Sequence, residues 1–132
     1  MITKSTILIV ESHDGLCRSI RASLEANFPE CDFLDAKTGE EAVSLVCNRP
    51  PDIVLMDIRL PQMSGIEATR RIKAIFPQAK VVMLIPDEVS EYKKAAEAAG
   101  ASACIVKDQL STELIPVVTR FYSQLADTSF KG

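Results

Sequence analysis

The amino-acid sequence predicts one α/β domain built on a five-stranded parallel sheet with helices on both faces. Short apolar runs alternate with helical patterns five times along the 132 residues. The clearest runs are rich in β-branched residues and lack polar–apolar alternation, which is typical of parallel strands buried on both faces. Because parallel strands need crossover connections, strict strand–helix alternation predicts a helix after every strand.

The first half of the chain contains two predicted strand–helix units. Leu16, Ile20 and Leu24 recur at four-residue spacing and predict an amphipathic helix. Thr38 and Glu41 fit a capping box that opens the second helix. In chain order we expect strand 7–10, helix 14–27, strand 31–36 and helix 38–47.

The second half contains three further units. Asp57 directly follows an apolar run, Pro77 closes the third helix, and Gly100 is a usual residue after a helix C-terminus. In chain order we expect strand 53–56, loop 60–65, helix 66–76, strand 81–85, helix 88–99, strand 103–106 and helix 111–126.

Length and composition limit the class of protein. The length predicts a single domain, residues 1–132, with a core at about 5–126 and a frayed tail at 127–132. The 15 basic and 18 acidic residues give a formal net charge of −3, which is not the basic footprint of a nucleic-acid binder. No apolar run approaches the ~20 residues that span a bilayer, and the segment before Ile7 is too short and polar for a signal peptide.

The four cysteines do not indicate a metal site. They include no C-x-x-C pair, and the chain has a single histidine, so a zinc site has almost no support. The simpler interpretation is reduced, mostly buried thiols in a cytoplasmic protein.

Charged side chains follow three predicted strands directly. Glu11 comes after the first strand, Asp57 after the third and Lys107 after the fifth. In a doubly wound sheet the working site lies at the carboxyl ends of the strands. Two carboxylates there suit Mg²⁺, an aspartate can act as a nucleophile, and a lysine can bind a phosphoryl oxygen. The alternative is that these residues only mark where strands leave the core.

The stretches around these residues resemble one protein family. The sequence from Asp57 to Gly65, DIRLPQMSG, resembles the phosphoacceptor loop of response regulator receiver domains. Residues 7–13 resemble the first strand of that family with its acidic pair, and residues 100–108 resemble the fifth strand with its lysine. The chain is therefore identified as an atypical member of the family over about residues 5–125.

The resemblance implies a flavodoxin-like sheet with strand order 2-1-3-4-5 and a role in two-component phosphorelay signalling. Asp57 would accept a phosphoryl group from a histidine kinase or phosphotransfer protein, and Lys107 would contact that group. Glu11, Asp57 and the backbone carbonyl of Arg59 would hold Mg²⁺. A partner protein or a second copy would bind the face formed by the fourth helix, fifth strand and fifth helix. The domain itself is not expected to bind nucleic acid or a membrane.

Three positions depart from the family pattern. Ser12 replaces an aspartate that ligates Mg²⁺, and a neutral hydroxyl is a much weaker ligand, so weak metal binding is expected. Ile85 replaces the Thr or Ser that bonds the phosphoryl group, and Cys104 replaces an aromatic switch residue. A switch needs an element with two arrangements that its ligand distinguishes. We therefore predict that phosphorylation of this chain is not transmitted in the usual way.

Three functions remain open from the sequence. The first is an ordinary phosphoacceptor receiver, and the second is a degenerate receiver that binds proteins independently of phosphorylation. The third, a phosphatase that forms an aspartyl-phosphate, usually has a second acid where Arg59 stands, so we predict that the chain is not an enzyme. Arg59 could instead place positive charge near Asp57 in lieu of a metal, or be an ordinary loop arginine. Lys107-Asp108 resembles receivers that precede a helix-turn-helix domain, which leaves a fragment and a stand-alone receiver both open.

Overall fold

Five strands alternate with five α-helices along the described part of the chain. The structure, a computed structural model, describes the backbone of residues 4–131 and the side chains of residues 4–125. In chain order the elements are β1 (Thr6–Val10), α1 (Asp14–Asn27), β2 (Asp32–Ala36), α2 (Gly39–Asn48), β3 (Ile53–Asp57), α3 (Gly65–Ile75), β4 (Lys80–Ile85), α4 (Ser90–Ala99), β5 (Ala103–Val106), a 3₁₀ turn (Lys107–Gln109) and α5 (Leu110–Lys131).

All five strands are parallel and lie in the order β2-β1-β3-β4-β5. The predicted fold class and strand order are therefore confirmed. The chain builds outward from β1 to one side and then from β3 to the other, so the topological switch point lies between these neighbours. Val10 pairs with Met56, and Asp57 pairs with Leu84. This register brings the ends of the first and third strands side by side.

The core has two layers because successive strand residues point to opposite faces of the sheet. One layer contains Leu8, Val54 and Met56 and packs against α2, α3 and α4. The other contains Ile7 and Leu55 and packs against α1 and α5. Helices on both faces explain why the strands read as unbroken apolar runs rather than as alternating ones.

Helix ends follow the predicted capping chemistry with small differences. Thr38 Oγ accepts a hydrogen bond from Glu41 N at 3.1 Å, while the Glu41 carboxylate reaches back to Lys37 N at 2.9 Å instead of to Thr38 N. Gly100 adopts φ 106° after α4, a left-handed conformation that favours glycine.

The last helix is longer than the sequence predicts. It continues through Lys131, whereas the sequence predicts a frayed tail from Asp127. The physical reason is that no proline or glycine interrupts the chain between Pro116 and Gly132.

Among the described residues, no helix is long and apolar enough to cross a membrane. The four cysteines are free thiols, with Cys17 and Cys31 buried, Cys104 half-buried and Cys47 exposed.

Candidate functional site

Glu11, Asp57 and Lys107 meet at the carboxyl edge of the sheet, and we call these three residues the strand-end cluster. Glu11 directly follows β1, Asp57 is the last residue of β3, and Lys107 directly follows β5. Lys107 Nζ donates a hydrogen bond to Asp57 Oδ2 at 2.9 Å and lies 3.3 Å from Glu11 Oε1. The structure therefore brings together the three charged residues that the sequence places at separate strand ends.

Both carboxylates of the cluster are withdrawn from solvent. Glu11 is 0% exposed and Asp57 is 2% exposed, whereas the Lys107 side chain keeps 25% of its surface. Because a buried anion without a partner is costly, the single ammonium group of Lys107 is the main compensation for two negative charges. One cation between two anions leaves the cluster with a surplus of negative charge.

The pKa values of the cluster reflect this arrangement. Burial raises the pKa of the Glu11 carboxyl, and the Asp57 charge adds to the rise, although the His13 N–H and the Lys107 charge oppose it. Burial alone would lower the pKa of Lys107, but the hydrogen bond and charge of Asp57, followed by the charge of Glu11, hold that pKa above its usual value. Lys107 is therefore a permanent cation at neutral pH.

Glu11 has one oxygen that lacks a hydrogen bond. Its Oε2 accepts from His13 N at 3.1 Å, but its buried Oε1 has no hydrogen-bond partner among the described residues. The 3.3 Å contact of Oε1 with Lys107 Nζ is thus an ion pair without favourable hydrogen-bond geometry. An orphaned carboxylate oxygen next to Asp57 can accept a bond from water or bind a cation.

The loop after Asp57 is held close against the strand ends. Asp57 Oδ1 accepts from Arg59 N at 3.0 Å, and Ile58 N donates to Leu84 O at 3.0 Å. Gly65 N returns to Ile58 O at 3.0 Å and closes the loop. A Cβ atom on Gly65 would lie 2.2 Å from Asp57 O, so the close approach of α3 to the loop requires glycine here.

The side chain of Arg59 points to α4. Its Nη2 donates to the Tyr92 hydroxyl at 2.6 Å, and its guanidinium carbon lies 5.8 Å from the centre of the Tyr92 ring. Arg59 therefore contacts Asp57 through its backbone and α4 through its side chain. Sequence reasoning missed this pair because no local pattern links residues 33 positions apart.

The two switch positions of the family hold apolar or weakly polar groups. Ile85, the last residue of β4, is fully buried and packs in the core layer beneath α2, α3 and α4. Cys104 is half-buried beside a pocket of about 230 Å³ that Lys93 and Glu97 of α4 also line. Burial, followed by the charge of Glu97, raises the pKa of the Cys104 thiol and keeps it protonated. Neither residue offers a hydroxyl or an aromatic ring to the strand-end cluster.

The donor atoms of the cluster fit Mg²⁺ with a reduced ligand set. Among residues 4–125, no group of three or more His, Cys, Asp or Glu side chains could hold a metal ion. Mg²⁺, however, usually keeps several waters and binds proteins through one or two carboxylates. The orphaned Glu11 Oε1 and the adjacent Asp57 carboxylate meet that requirement, while Ser12 contributes only a neutral hydroxyl.

Comparison with known proteins identifies the family. The family model described as the response regulator receiver domain matches residues 7–119. The chain is a response regulator receiver domain. Its site residues therefore belong to a domain of two-component signalling, in which the aspartate at this position is the general phosphoacceptor. Receiver domains generally bind Mg²⁺ for phosphorylation and interact with histidine kinases or phosphotransfer proteins.

Curated relatives of this receiver domain include transcriptional regulators and a chemotaxis protein. It is 34% identical over 116 residues to the transcriptional regulatory protein DegU of Brevibacillus brevis, covering 87% of this chain and 49% of that protein. It is 36% identical over 101 residues to the chemotaxis protein CheY of Halobacterium salinarum, covering 76% of this chain and 82% of that protein. The chain spans about half the length of the transcriptional regulators that it matches.

Solved structures show the same architecture. A CheY-like receiver domain protein from Methanospirillum hungatei superposes with a TM-score of 0.84 at 25% identity, covering 98% of this chain and 100% of that chain. A LuxR-family response regulator from an Aurantimonas species gives a TM-score of 0.84 at 28% identity, covering 92% of this chain and 87% of that chain.

Proposed function

We propose that this receiver domain accepts a phosphoryl group on Asp57 from the phosphohistidine of a histidine kinase or phosphotransfer protein. One observation carries the proposal. The Asp57 carboxylate lies at the topological switch point, with one oxygen bonded to Lys107 Nζ and the other to Arg59 N. The two donors orient the carboxylate for attack on phosphorus.

The transfer exchanges one bond to phosphorus for another and changes no oxidation state. A carboxylate oxygen of Asp57 forms a bond to phosphorus, the phosphorus–nitrogen bond of the phosphohistidine breaks, and the imidazole nitrogen keeps the electron pair. Lys107 Nζ, 2.9 Å from Asp57 Oδ2, is close enough to donate to a phosphoryl oxygen as negative charge gathers there. Arg59 N holds the second carboxylate oxygen during the step.

Mg²⁺ would be held by Glu11, Asp57 and the backbone carbonyl of Arg59. When bound, it would neutralise the phosphoryl oxygens that Lys107 alone cannot compensate. Ser12 supplies no negative charge, so we propose that the affinity is weak and that Lys107 carries more of the charge compensation than in receivers with a second acid.

A small phosphodonor with Mg²⁺ tests the acceptor role. Intact-protein mass spectrometry with acetyl phosphate should show one added phosphoryl group, which Asp57→Asn abolishes. Asp35→Asn is the matched control, because Asp35 is the penultimate residue of β2 in the same sheet but pairs with Arg21 at the surface. Absence of a mass shift at high Mg²⁺, or a shift that persists in Asp57→Asn, would contradict the proposal.

A second candidate function is protein binding independent of phosphorylation. The observation that favours it is the loss of both switch groups, since Ile85 is buried and Cys104 carries no ring. The partner or a second copy would bind the face formed by α4, β5 and α5. Under this function a pull-down of the partner, or self-association in sedimentation, is unchanged in folded Asp57→Asn. Loss of binding in that variant would rule it out.

We also propose that the domain is a signalling module rather than an enzyme, that it acts in the cytoplasm and that it does not itself bind nucleic acid. The first statement is supported by Arg59, which stands where aspartyl-phosphate phosphatases carry a second acid. The last is supported by the net charge of −3. Turnover of a phosphate ester that Asp57→Asn abolishes would overturn the first statement.

A further inference from the structure

Arg59 is in direct contact with both Asp57 and helix α4. Its backbone N–H bonds Asp57 Oδ1 at 3.0 Å, and its guanidinium bonds the Tyr92 hydroxyl at 2.6 Å. Tyr92 lies in the first turn of α4 and packs its ring against the core. A single residue therefore spans the distance between the strand-end cluster and the helix.

Helix α4 is held to the sheet by few apolar groups. Its buried side chains are Ala96 and Ala99, and Tyr92 is the large side chain that packs against the core from this helix. Its N-cap residue Val89 supplies no side-chain hydrogen bond. Because two alanines bury little apolar surface, the contacts of Tyr92 weigh heavily in the position of the helix.

The guanidinium of Arg59 bonds one hydroxyl and feels the charge of two carboxylates. The Tyr92 hydroxyl raises the pKa of Arg59 most, and the carboxylates of Asp87 and Asp57 add smaller increases. Phosphorylation adds roughly one further negative charge and three acceptor oxygens. On Asp57, that charge would appear on the residue that Arg59 N already contacts. The attraction of the guanidinium to Asp57 then grows relative to its bond with the Tyr92 hydroxyl.

We propose that Arg59 couples the state of Asp57 to the position of α4 through its bond to Tyr92, a role that rests on the phosphoacceptor function of Asp57 proposed above. In the resting protein Arg59 holds Tyr92. When Asp57 carries a phosphoryl group, the guanidinium moves to the phosphoryl oxygens and releases the first turn of α4. The Arg59–Tyr92 pair thus performs the task for which Ile85 and Cys104 lack the chemistry.

The chain offers a selective probe of this step, because it has two tyrosines and no tryptophan. Protein labelled with 3-fluorotyrosine should give two ¹⁹F resonances, which Tyr122→Phe assigns. Tyr122 is an internal control, since it packs on the opposite sheet face beside Phe28 and bonds Glu30. Acetyl phosphate with Mg²⁺ should shift the Tyr92 resonance and leave that of Tyr122 in place.

The variant Arg59→Met removes the guanidinium and keeps the backbone N–H that bonds Asp57. Its Tyr92 resonance should start at a new position and should not move when mass spectrometry shows the phosphoryl group attached. A Tyr92 shift of the same size in Arg59→Met and in the wild type would overturn the proposal. An unmoved Tyr92 resonance in phosphorylated wild type would overturn it as well.

Two further measurements decide the coupling even if Asp57 accepts no phosphoryl group, a result that refutes only the acceptor role. Hydrogen exchange of α4 amides should be about two- to fivefold faster in Arg59→Met and in Tyr92→Phe than in the wild type. The variant with both substitutions should exchange no faster than either single variant. Asp57→Glu, whose carboxylate lies one methylene further from the backbone, should shift the Tyr92 resonance when Arg59 is present but not in the Arg59→Met background. Additive exchange effects, or equal shifts in both backgrounds, would overturn the coupling.

Discussion

Lys107 lies between two carboxylates that are almost completely buried, and this arrangement sets the chemistry of the site at the scale of single residues. One ammonium group compensates for Asp57 and Glu11 together. Receiver domains generally bind Mg²⁺, which would add the missing positive charge. In this chain Ser12 provides no anionic ligand for that cation. The burial of Glu11 affects the pH dependence of stability, and the missing anionic ligand affects the affinity for Mg²⁺.

The first prediction concerns Glu11 and pH. Burial raises the pKa of Glu11 above 4.5, its ordinary value, so the folded protein binds this proton more tightly than the unfolded chain does. The resulting contribution to stability is fully present below pH 4.5 and is lost as the pH rises through the folded pKa. Glu11→Gln cannot ionise, so its free energy of unfolding should rise relative to the wild type as the pH increases from 4.5 towards neutrality.

Urea unfolding at a series of pH values measures this difference. Glu25→Gln is the control, because Glu25 is an exposed residue of α1 that pairs with Arg21. If the free energies of unfolding of Glu11→Gln and the wild type change in parallel with pH, ionisation of Glu11 does not affect the stability of the fold.

The second prediction concerns Ser12 and Mg²⁺. Ser12→Asp adds an anionic oxygen next to Glu11, and carboxylates are the preferred protein ligands of this cation. The affinity for Mg²⁺ should rise by about tenfold or more, which corresponds to at least about 1.4 kcal/mol. Isothermal titration calorimetry measures the change. Ser19→Asp, exposed on α1, should leave the affinity unchanged, and an equal gain there would point to a general charge effect.

At the scale of elements, the loop between β3 and α3 depends on one close approach. Ser64 Oγ caps α3 by accepting from Glu67 N at 3.2 Å, and Gly65 follows at the first helical position. The helix therefore begins directly against the Asp57 carbonyl. This contact sets the distance between α3 and the strand end and keeps Arg59 N directed at Asp57.

The third prediction compares two glycine substitutions. In Gly65→Ala the new Cβ would lie 2.2 Å from Asp57 O, so the backbone must move, and we expect a loss of about 2 kcal/mol of stability together with slower phosphorylation. Gly15→Ala is the matched control, since its Cβ meets nothing within 4 Å in α1, and it should stabilise by about 0.5 kcal/mol. Denaturant unfolding distinguishes the two, and equal effects would contradict the steric argument.

At the scale of the whole molecule, one sheet joins the two core layers. Each strand alternates its side chains between the layers, so neither layer can form without the strands that complete the other. The same sheet carries the strand-end cluster at its carboxyl edge. We therefore expect the two layers to fold, and the site to assemble, in a single step.

The fourth prediction is cooperative unfolding. In Tyr92→Phe the fluorescence of the remaining tyrosine, Tyr122, reports on the core layer that packs against α1 and α5. Circular dichroism reports on all of the helices. The two probes should give the same denaturation midpoint, as expected for a two-state domain. Separate midpoints would show that the layers unfold independently.

The fold class and the main site residues could be predicted from the sequence because both depend on local patterns. Unbroken apolar runs indicate buried parallel strands. A charged residue directly after such a run lies at the carboxyl end of the strand regardless of the conformation of the following loop. This pattern identifies Asp57, Glu11 and Lys107, whereas the departures at Ser12, Ile85 and Cys104 emerge only from the resemblance to the receiver family. The strand order followed from the family resemblance, and the structure confirms it.

Only the tertiary structure decided how these residues interact. The bridge from Lys107 to two carboxylates, the close approach of Gly65 to Asp57 O and the bond between Arg59 and Tyr92 join residues that no local pattern links. Side-chain partners across a sheet depend on register and packing, which emerge when distant segments meet. The sequence thus determined which groups lie at the edge of the sheet, and packing determined that one ammonium serves two anions and that one arginine connects Asp57 to α4.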